Sequence, residues 1–283
     1  VVESFQVAGE PLGSVRLTRS VPVGTPFSPT ETGIRGADIV IERLNADGTV
    51  RSRYPFVPED VPGRYRPIDP EVRVVPTATY RLVATLPNGE RLTSTTTVPG
   101  AISIIRVDNP QAIYQGPNQP SITITRSGTS GRQDVFVFTV TSLLDFDSLS
   151  EEELEAALTP FYADAFDPGD DSIADFRINP SPVLNEGNYD ANPDGTITID
   201  LPWLAIAFFG PNSTAVNVID TNYYDFLRTQ QAQQGGRPGE IPNVLDHVDG
   251  GSGLFGSYAR VEQKIEVLRP KLHSGPERTN AVR

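Results

Sequence analysis

The run Asp190-Ala-Asn-Pro-Asp-Gly195 has the spacing of oxygen ligands with which proteins bind calcium. It matches the first half of the pattern D-x-[DN]-x-[DN]-G, in which alternate carboxylate and amide oxygens turn toward one cation. Asp190, Asn192 and Asp194 are therefore candidate calcium ligands. The twelfth position is Leu201 rather than the glutamate that completes such loops, so an ordinary turn before a strand is the alternative. No other cofactor is indicated.

Histidine chemistry would depend on two residues, His247 and His273. His247 lies between Asp246 and Asp249, and the Gly-Gly-Ser-Gly run around Ser252 lacks the strand–turn–helix context of a nucleophile elbow. A zinc site would need more nitrogen and sulfur ligands than this chain, which has no cysteine, provides. Asp246 and His247 are better interpreted as loop residues that bind backbone groups. We expect no enzymatic activity.

Aromatic side chains are the remaining candidates for ligand binding. Trp203, Tyr223, Tyr224 and Phe255 are the predicted contacts for a ligand or partner. With the neighbouring Phe208 and Phe209, several of these rings could form a platform on which sugars stack, but packing in the core explains them better. Carboxylates are numerous enough for glycoside hydrolysis, yet no sequence feature singles out a pair.

Composition restricts the partners and the compartment. The net charge of −13 argues against nucleic acid, because a phosphate backbone favours a basic surface. No apolar run approaches the ~20 residues that cross a bilayer. The chain has neither Met nor Cys and begins at Val1. That start is expected from removal of a secretory signal peptide, or from a preceding segment outside this sequence.

Many short strands joined by turns are predicted throughout the 283 residues, which contain 26 Pro and 24 Gly. Residues 1–99 read as one domain of roughly seven strands at the spacing typical of an immunoglobulin-like sandwich. Two hairpins are predicted within it, around the turns Asp47-Gly48 and Asn88-Gly89. Pro99-Gly100 marks the predicted boundary.

A second immunoglobulin-like domain is predicted for residues 100–269, followed by a loose tail at 270–283. Its strand at 134–140 carries apolar residues on both faces, which indicates a central strand. Two helices are predicted as insertions, near 150–163 and 221–234, the first from a Ser150/Glu153 capping box. An acidic insertion at 164–195 is expected to have little regular structure. The predicted fold class is therefore mainly β, with two sandwiches.

The C-terminal part carries a recurring pattern of motifs. A paired-tyrosine helix start at Tyr223-Tyr-Asp-Phe-Leu-Arg228 precedes the loop Pro242-Asn-Val244 and the glycine-rich segment Asp249-Gly-Gly-Ser-Gly-Leu-Phe-Gly-Ser-Tyr258. The N-terminal half contributes the opening Val1-Val-Glu3, then Val15-Arg-Leu-Thr-Arg-Ser20 and Gly63-Arg-Tyr65. This pattern resembles the Bacteroidota outer-membrane lipoprotein family known as domain of unknown function 4249, over residues 1 to about 268.

The resemblance implies a signal peptide, a lipidated cysteine just upstream of Val1 and attachment to the outer membrane, on either face. It also implies a partner in that membrane, such as a TonB-dependent receptor, and it supplies no catalytic residues. The predicted function is thus a non-catalytic accessory protein of the cell surface that docks on a transporter or surface assembly, or binds a ligand. The alternative is a structural or adhesive subunit of a surface appendage or matrix, and a glycan hydrolase is the least favoured.

Overall fold

A computed structural model describes residues 1–22, 28–128, 133–234 and 245–270 of the chain. The Pro242-Asn-Val244 motif, His273 and the predicted tail beyond Pro270 lie outside these described residues. Strands in the first hundred residues, with one short helix α1 (Pro29–Thr32), are β1 (Val2–Val7), β2 (Val15–Leu17), β3 (Asp38–Leu44), β4 (Val50–Pro58), β5 (Arg64–Pro67), β6 (Thr79–Thr85) and β7 (Arg91–Thr97).

The rest of the described chain contains ten strands and three α-helices. These strands are β8 (Ile104–Asp108), β9 (Gln111–Ile113), β10 (Ser121–Ile124), β11 (Val135–Ser142), β12 (Ile178–Pro180), β13 (Leu184–Asn185), β14 (Ile197–Asp200), β15 (Gly210–Ile219), β16 (Val248–Asp249) and β17 (Gly253–Leu268). The helices are α2 (Glu151–Ala156), α3 (Pro160–Ala165) and α4 (Thr221–Gln234). The protein is therefore mainly β, as the sequence predicts. None of the helices in the described residues is both long and apolar enough to span a bilayer.

The two predicted hairpins are confirmed. The strands β3 and β4 pair around Asp47-Gly48, and β6 and β7 pair around Asn88-Gly89. The predicted central strand is confirmed as β11, which is hydrogen-bonded on both edges and almost entirely buried. The alternation of apolar and polar residues and the Asp-Gly or Asn-Gly turns are local signals, so the sequence shows them directly.

The strand pairs connect into one large mixed sheet and a small one. Along the large sheet the order is β12-β11-β15-β17-β1-β2-β5-β4-β3-β6-β7-β16, with β13 beside β11 and β9 beside β17. The small sheet has the order β14-β10-β8. The first strand β1 pairs in parallel with the last strand β17, so the two ends of the described chain meet in the middle of the large sheet.

Two large hydrophobic cores lie on the two sides of this β1–β17 pair. One is formed by residues between Ile102 and Val267, and the other by residues between Val2 and Val98 together with Val248 and Phe255. The C-terminal segment therefore contributes side chains to the N-terminal core, across the predicted boundary. The division into domains at residue 99 stays a prediction.

The first predicted helix forms as two helices. Its capping box is present, because the Glu153 amide donates to Ser150 Oγ (3.3 Å) and the Ser150 amide donates to Glu153 Oε2 (2.9 Å). The helix then ends, since the Thr159 amide donates to the Ala207 carbonyl (2.7 Å) and Pro160 begins a new helix at its first position. The second helix, at 221–234, is confirmed as α4.

The acidic insertion at 164–195 is more regular than predicted. The strands β12 and β13 pair with the same edge of β11. Glu186 is buried there, accepts a hydrogen bond from the Asp134 amide (2.8 Å) and forms an ion pair with Arg126. The expectation of little regular structure is corrected: long-range pairing with β11, which local composition does not encode, orders this segment.

Candidate functional site

A buried polar cluster fixes the start of α4 against the large sheet. The Asp220 carboxylate caps the helix by accepting from the Tyr223 amide (2.9 Å), and it also accepts from the Thr96 hydroxyl of β7. Asn222 Nδ2 donates to two backbone carbonyls, those of Thr95 (2.8 Å) and Phe255 (2.9 Å). Because β7, β17 and α4 share these bonds, the position of Tyr223 is set by both halves of the protein.

The glycine-rich segment brings β17 against β1. A Cβ on Gly253, whose φ is +127°, would lie 1.9 Å from the Val2 carbonyl oxygen. A Cβ on Gly256 would lie 3.3 Å from Tyr223 Cβ. These glycines therefore permit close approach of the backbone, and they allow β1, β17 and α4 to converge.

Three aromatic rings meet where these elements converge. The Phe5 centroid of β1 lies 5.0 Å from that of Tyr223 and 6.2 Å from that of Tyr258, in edge-to-face arrangements. Tyr223 and Tyr258 lie 6.5 Å apart. Within the described part of the chain, neither tyrosine hydroxyl has a hydrogen-bond partner, so both remain able to bind a ligand group.

Polar side chains complete the depression that these rings line. Its volume is about 150 Å³, and Asn217 and Arg260 line it together with the three rings. Asn217 is held in place because its Nδ2 donates to the Val137 carbonyl (2.9 Å). Tyr258 also lines two further depressions, of about 380 and 370 Å³. We refer to the surface formed by Phe5, Asn217, Tyr223, Tyr258 and Arg260 as the Tyr258 cleft.

The charges around the Tyr258 cleft balance one another. Arg260 pairs with Glu262 at 3.1 Å, and Arg16 pairs with Glu3 at 3.3 Å. Burial raises the pKa of Tyr223, and the neighbouring Tyr258 adds to this increase, so the Tyr223 phenol is neutral at physiological pH. The cleft thus combines aromatic faces with neutral hydroxyl and amide groups and paired charges, which suits a neutral or mixed-charge ligand better than a polyanion.

The structure does not bring the four predicted contact residues together. Tyr223 lines the cleft, whereas Tyr224 points toward Arg228, whose guanidinium lies 5.6 Å from its ring centroid. Trp203 packs in the C-terminal core against Tyr114, with centroids 5.3 Å apart. Phe255 is fully buried in the N-terminal core, so the expectation that it contacts a ligand is corrected. Phe255 and Tyr258 both belong to the glycine-rich segment, and the sequence alone does not show which of the two rings points into the core.

The candidate calcium ligands form a closed turn. Asp194 Oδ1 accepts from the Thr196 amide (3.0 Å) and the Thr196 hydroxyl (2.6 Å), and Asn192 Nδ2 donates to Thr196 Oγ1 (2.9 Å). The run Asn45-Ala-Asp-Gly-Thr49 makes the same set of bonds with the same acceptor atoms. In the described residues, no group of three or more His, Cys, Asp or Glu side chains is placed to hold a metal ion. This geometry favours the turn.

His247 and Asp246 are both held within the loop before β17. His247 Nε2 lies 2.8 Å from Asp225 Oδ2 of α4, and no serine hydroxyl of the described chain bonds to its ring. Asp246 accepts from the backbone amides of Val248 (3.3 Å) and Gly253 (3.3 Å). The prediction that Asp246 binds backbone groups is confirmed, whereas the His247 side chain contacts the Asp225 carboxylate instead and so ties the loop to the helix.

Most of the Tyr258 cleft cannot be predicted from the sequence. Tyr258 stands at the end of the glycine-rich motif, but Phe5, Asn217 and Arg260 come from three separate strands. The antiparallel pairing of β15 with β17 places Asn217 opposite Arg260, and the parallel pairing of β1 with β17 adds Phe5 from about 250 positions away in sequence. The Val-Val-Glu opening, as part of the family pattern, is the one local signal that could have drawn attention to β1.

Comparisons with known proteins give one family and a set of remote structures. The family model described as Domain of unknown function (DUF4249) matches residues 1–264. No protein in a search of curated sequences matches the chain.

The solved structures are similar only at low scores. One is Salmonella alpha-2-macroglobulin reacted with methylamine, with 11% identity, a TM-score of 0.24, and coverage of 94% of this chain but 14% of that one. Another is trypsin-activated alpha-2-macroglobulin from Escherichia coli, with 10% identity, a TM-score of 0.23, and coverage of 93% and 15% respectively. The chain spans about one seventh of the length of these two proteins.

Proposed function

This chain belongs to the family described as Domain of unknown function (DUF4249), and we propose that it is a non-catalytic accessory protein of the cell surface that binds a partner through the Tyr258 cleft. The observation that carries this proposal is the convergence of Phe5, Tyr223 and Tyr258 beside paired charges, with two phenol hydroxyls that no described group occupies. Aromatic and arginine side chains are the residues that most often anchor a partner.

A membrane anchor would place this cleft within reach of a membrane protein. We propose that the chain is an outer-membrane lipoprotein of Bacteroidota cells, lipidated on a cysteine upstream of Val1. From Val2 to Phe5 the strand β1 extends only roughly 10 Å, at about 3.3 Å per residue, so a lipid attached directly before Val1 would hold the cleft close to the membrane. An outer-membrane transporter such as a TonB-dependent receptor, or another surface assembly, is therefore the proposed partner.

The proposed architecture is a pair of immunoglobulin-like sandwiches joined through the β1–β17 pair. Its support is the presence of two separate cores, one on each side of that pair. The buried bonds of Asp220 and Asn222 would then keep the sandwiches in fixed orientation, which would hold the cleft preorganised for its partner.

Two measurements test this proposal separately. Mass spectrometry of the protein purified from its native membranes should show an acylated cysteine preceding Val1, and an unlipidated start would disprove the anchor. Affinity capture from detergent-solubilised membranes should recover a different membrane protein with the wild type and much less of it with Tyr258→Ala. Phe161→Ala is the matched control, because Phe161 is a half-exposed aromatic residue of α3 that does not line the cleft. Recovery of only further copies of this chain would favour the structural or adhesive alternative.

A further inference from the structure

Part of one edge of β17, in the middle of the large sheet, has no partner strand among the described residues. The strand β1 pairs with β17 up to Tyr258, and β9 pairs with the same edge from Glu266 onward. Along that edge no strand of the described chain pairs with residues 259–265, although β15 pairs with their opposite edge. The gap between β1 and β9 is eight residue steps long, or roughly 26 Å at about 3.3 Å per residue.

Backbone groups of alternate residues point into this gap. The Tyr258 carbonyl accepts from the Ala8 amide (2.9 Å) at one end, and the Glu266 amide donates to the Pro110 carbonyl (2.7 Å) at the other. Because backbone groups alternate along a strand, those of Arg260, Glu262 and Lys264 face the same way. Only the Lys264 carbonyl has a partner among the described groups, the Gln263 side-chain amide at 3.0 Å. Unpaired ladder groups of this kind form a template for another strand.

We propose that this gap receives an extended peptide segment of the partner protein, which adds a strand to the sheet. The inference rests on the proposed function and names how the partner binds. A depression of about 370 Å³, lined by Val7, Ala8, Tyr258, Arg260 and Val261 among others, lies at the β1 end of the gap. The segment would therefore run directly past the Tyr258 cleft, where one of its side chains can contact the aromatic rings.

The shape of the gap favours a single strand over a second copy of this chain. The strands β1 and β9 flank the open residues on the same side of β17, so the edge is recessed by one strand spacing, about 4.8 Å. The equally recessed edge of another copy cannot enter it. A two-fold pairing centred on Glu262 would also place Glu262 opposite itself and Arg260 opposite Lys264, which is unfavourable.

The neighbouring side chains define the chemistry of the segment. Arg260, Glu262 and Lys264 are exposed on one face, while Val261 is half-buried against the C-terminal core on the other. A complementary strand carries an acidic, a basic and an acidic residue on the outer face, with apolar residues between them. This pattern reads the same in both directions, so it applies to parallel and antiparallel insertion alike.

Residue-resolved amide exchange tests the gap and its occupant together. In the free protein, the amides of Arg260, Glu262 and Lys264 should exchange rapidly, while those of Val261 and Gln263, which face β15, should be protected. The probe is the acetylated, amidated peptide Val-Glu-Val-Lys-Val-Glu-Val. It should protect the three open amides and bind at least about tenfold more tightly than the charge-reversed peptide Val-Lys-Val-Glu-Val-Lys-Val.

A charge-swapped variant supplies the decisive comparison. Combining R260E, E262K and K264E should reverse the preference between the two peptides, whereas Arg51→Glu, an exposed change on β4, should leave it unaltered. Slow exchange of the three amides in the free protein, or equal binding of both peptides, would overturn the inference. If Tyr258→Ala still abolishes capture of a membrane protein while the edge amides stay unprotected, the proposed function stands and strand addition fails.

Discussion

The rings of Phe5 and Tyr223 are in edge-to-face contact, with centroids 5.0 Å apart and planes inclined by 61°. One ring belongs to the first strand and the other to the helix α4, so the contact exists only because β1 pairs with β17. This contact links the family motifs at the two ends of the chain to one surface. The packing that forms the Tyr258 cleft can be tested separately from the binding of a partner to it.

Replacement of Gly253 by alanine should strongly destabilise the fold. The new Cβ would meet the Val2 carbonyl oxygen at 1.9 Å, in the central strand pair of the large sheet. We expect Gly253→Ala to lower the free energy of unfolding by at least about 3 kcal/mol. Gly89→Ala is the matched control, because Gly89 also has a positive φ but has nothing within 4 Å of its Cβ position, and it should cost only about 1–2 kcal/mol. Equal losses in chemical denaturation would contradict the close approach of β1 to β17.

Asn222→Ala should loosen α4 from the sheet. The change removes two donated hydrogen bonds and leaves the Thr95 and Phe255 carbonyls without that partner. The free energy of unfolding should fall by roughly 2–4 kcal/mol, since buried groups that lose their partners carry the full desolvation cost. Asn45→Ala, in an exposed turn, should have a much smaller effect. A negligible loss for Asn222→Ala would show that the helix is held by other contacts.

Removal of calcium should leave thermal stability unchanged. Asp194 Oδ1 already accepts two hydrogen bonds from Thr196, which lower the pKa of that carboxyl group. The Asp47 turn provides an internal comparison, because Thr49 makes the same bonds to it and likewise lowers its pKa. Asp194→Ala and Asp47→Ala should therefore give similar small decreases in Tm, with or without chelator. If a chelator lowers the Tm of the wild type but not that of Asp194→Ala, a calcium site is established instead.

Tyr223 should ionise late in an alkaline titration. Burial is the main cause that raises its pKa in the folded state, so the folded protein holds this proton more tightly than the unfolded chain does. This difference in pKa contributes to the stability of the fold. The contribution is complete below the ordinary tyrosine pKa of about 10, and it is lost as the pH rises through the higher folded-state pKa. Ultraviolet absorbance should show a late phenolate component that Tyr223→Phe removes. Phe5→Ala should shift this component to lower pH; an unchanged position would argue against the ring contact.

The sequence predicts the local elements well and the site poorly, for a physical reason. Hairpins at Asp47-Gly48 and Asn88-Gly89, the capping box at Ser150 and the helix at 221–234 depend on residues close in the chain. The cleft depends instead on parallel pairing of β1 with β17, and hydrophobic alternation says which face of a strand is buried but not which strand lies beside it. Tyr223 was accessible to sequence reasoning because it stands in a motif, whereas Phe5 and Asn217 were not.

Cross-linking in living cells tests whether the surface around Tyr258 contacts a different protein. A photoreactive amino acid is placed at position 260, beside the cleft, and in a separate protein at position 51 on the exposed strand β4. After irradiation, position 260 should form a covalent adduct with another membrane protein, and position 51 should form none. If both positions give the same adducts, or if the adducts contain only further copies of this chain, the surface around Tyr258 does not bind a different protein.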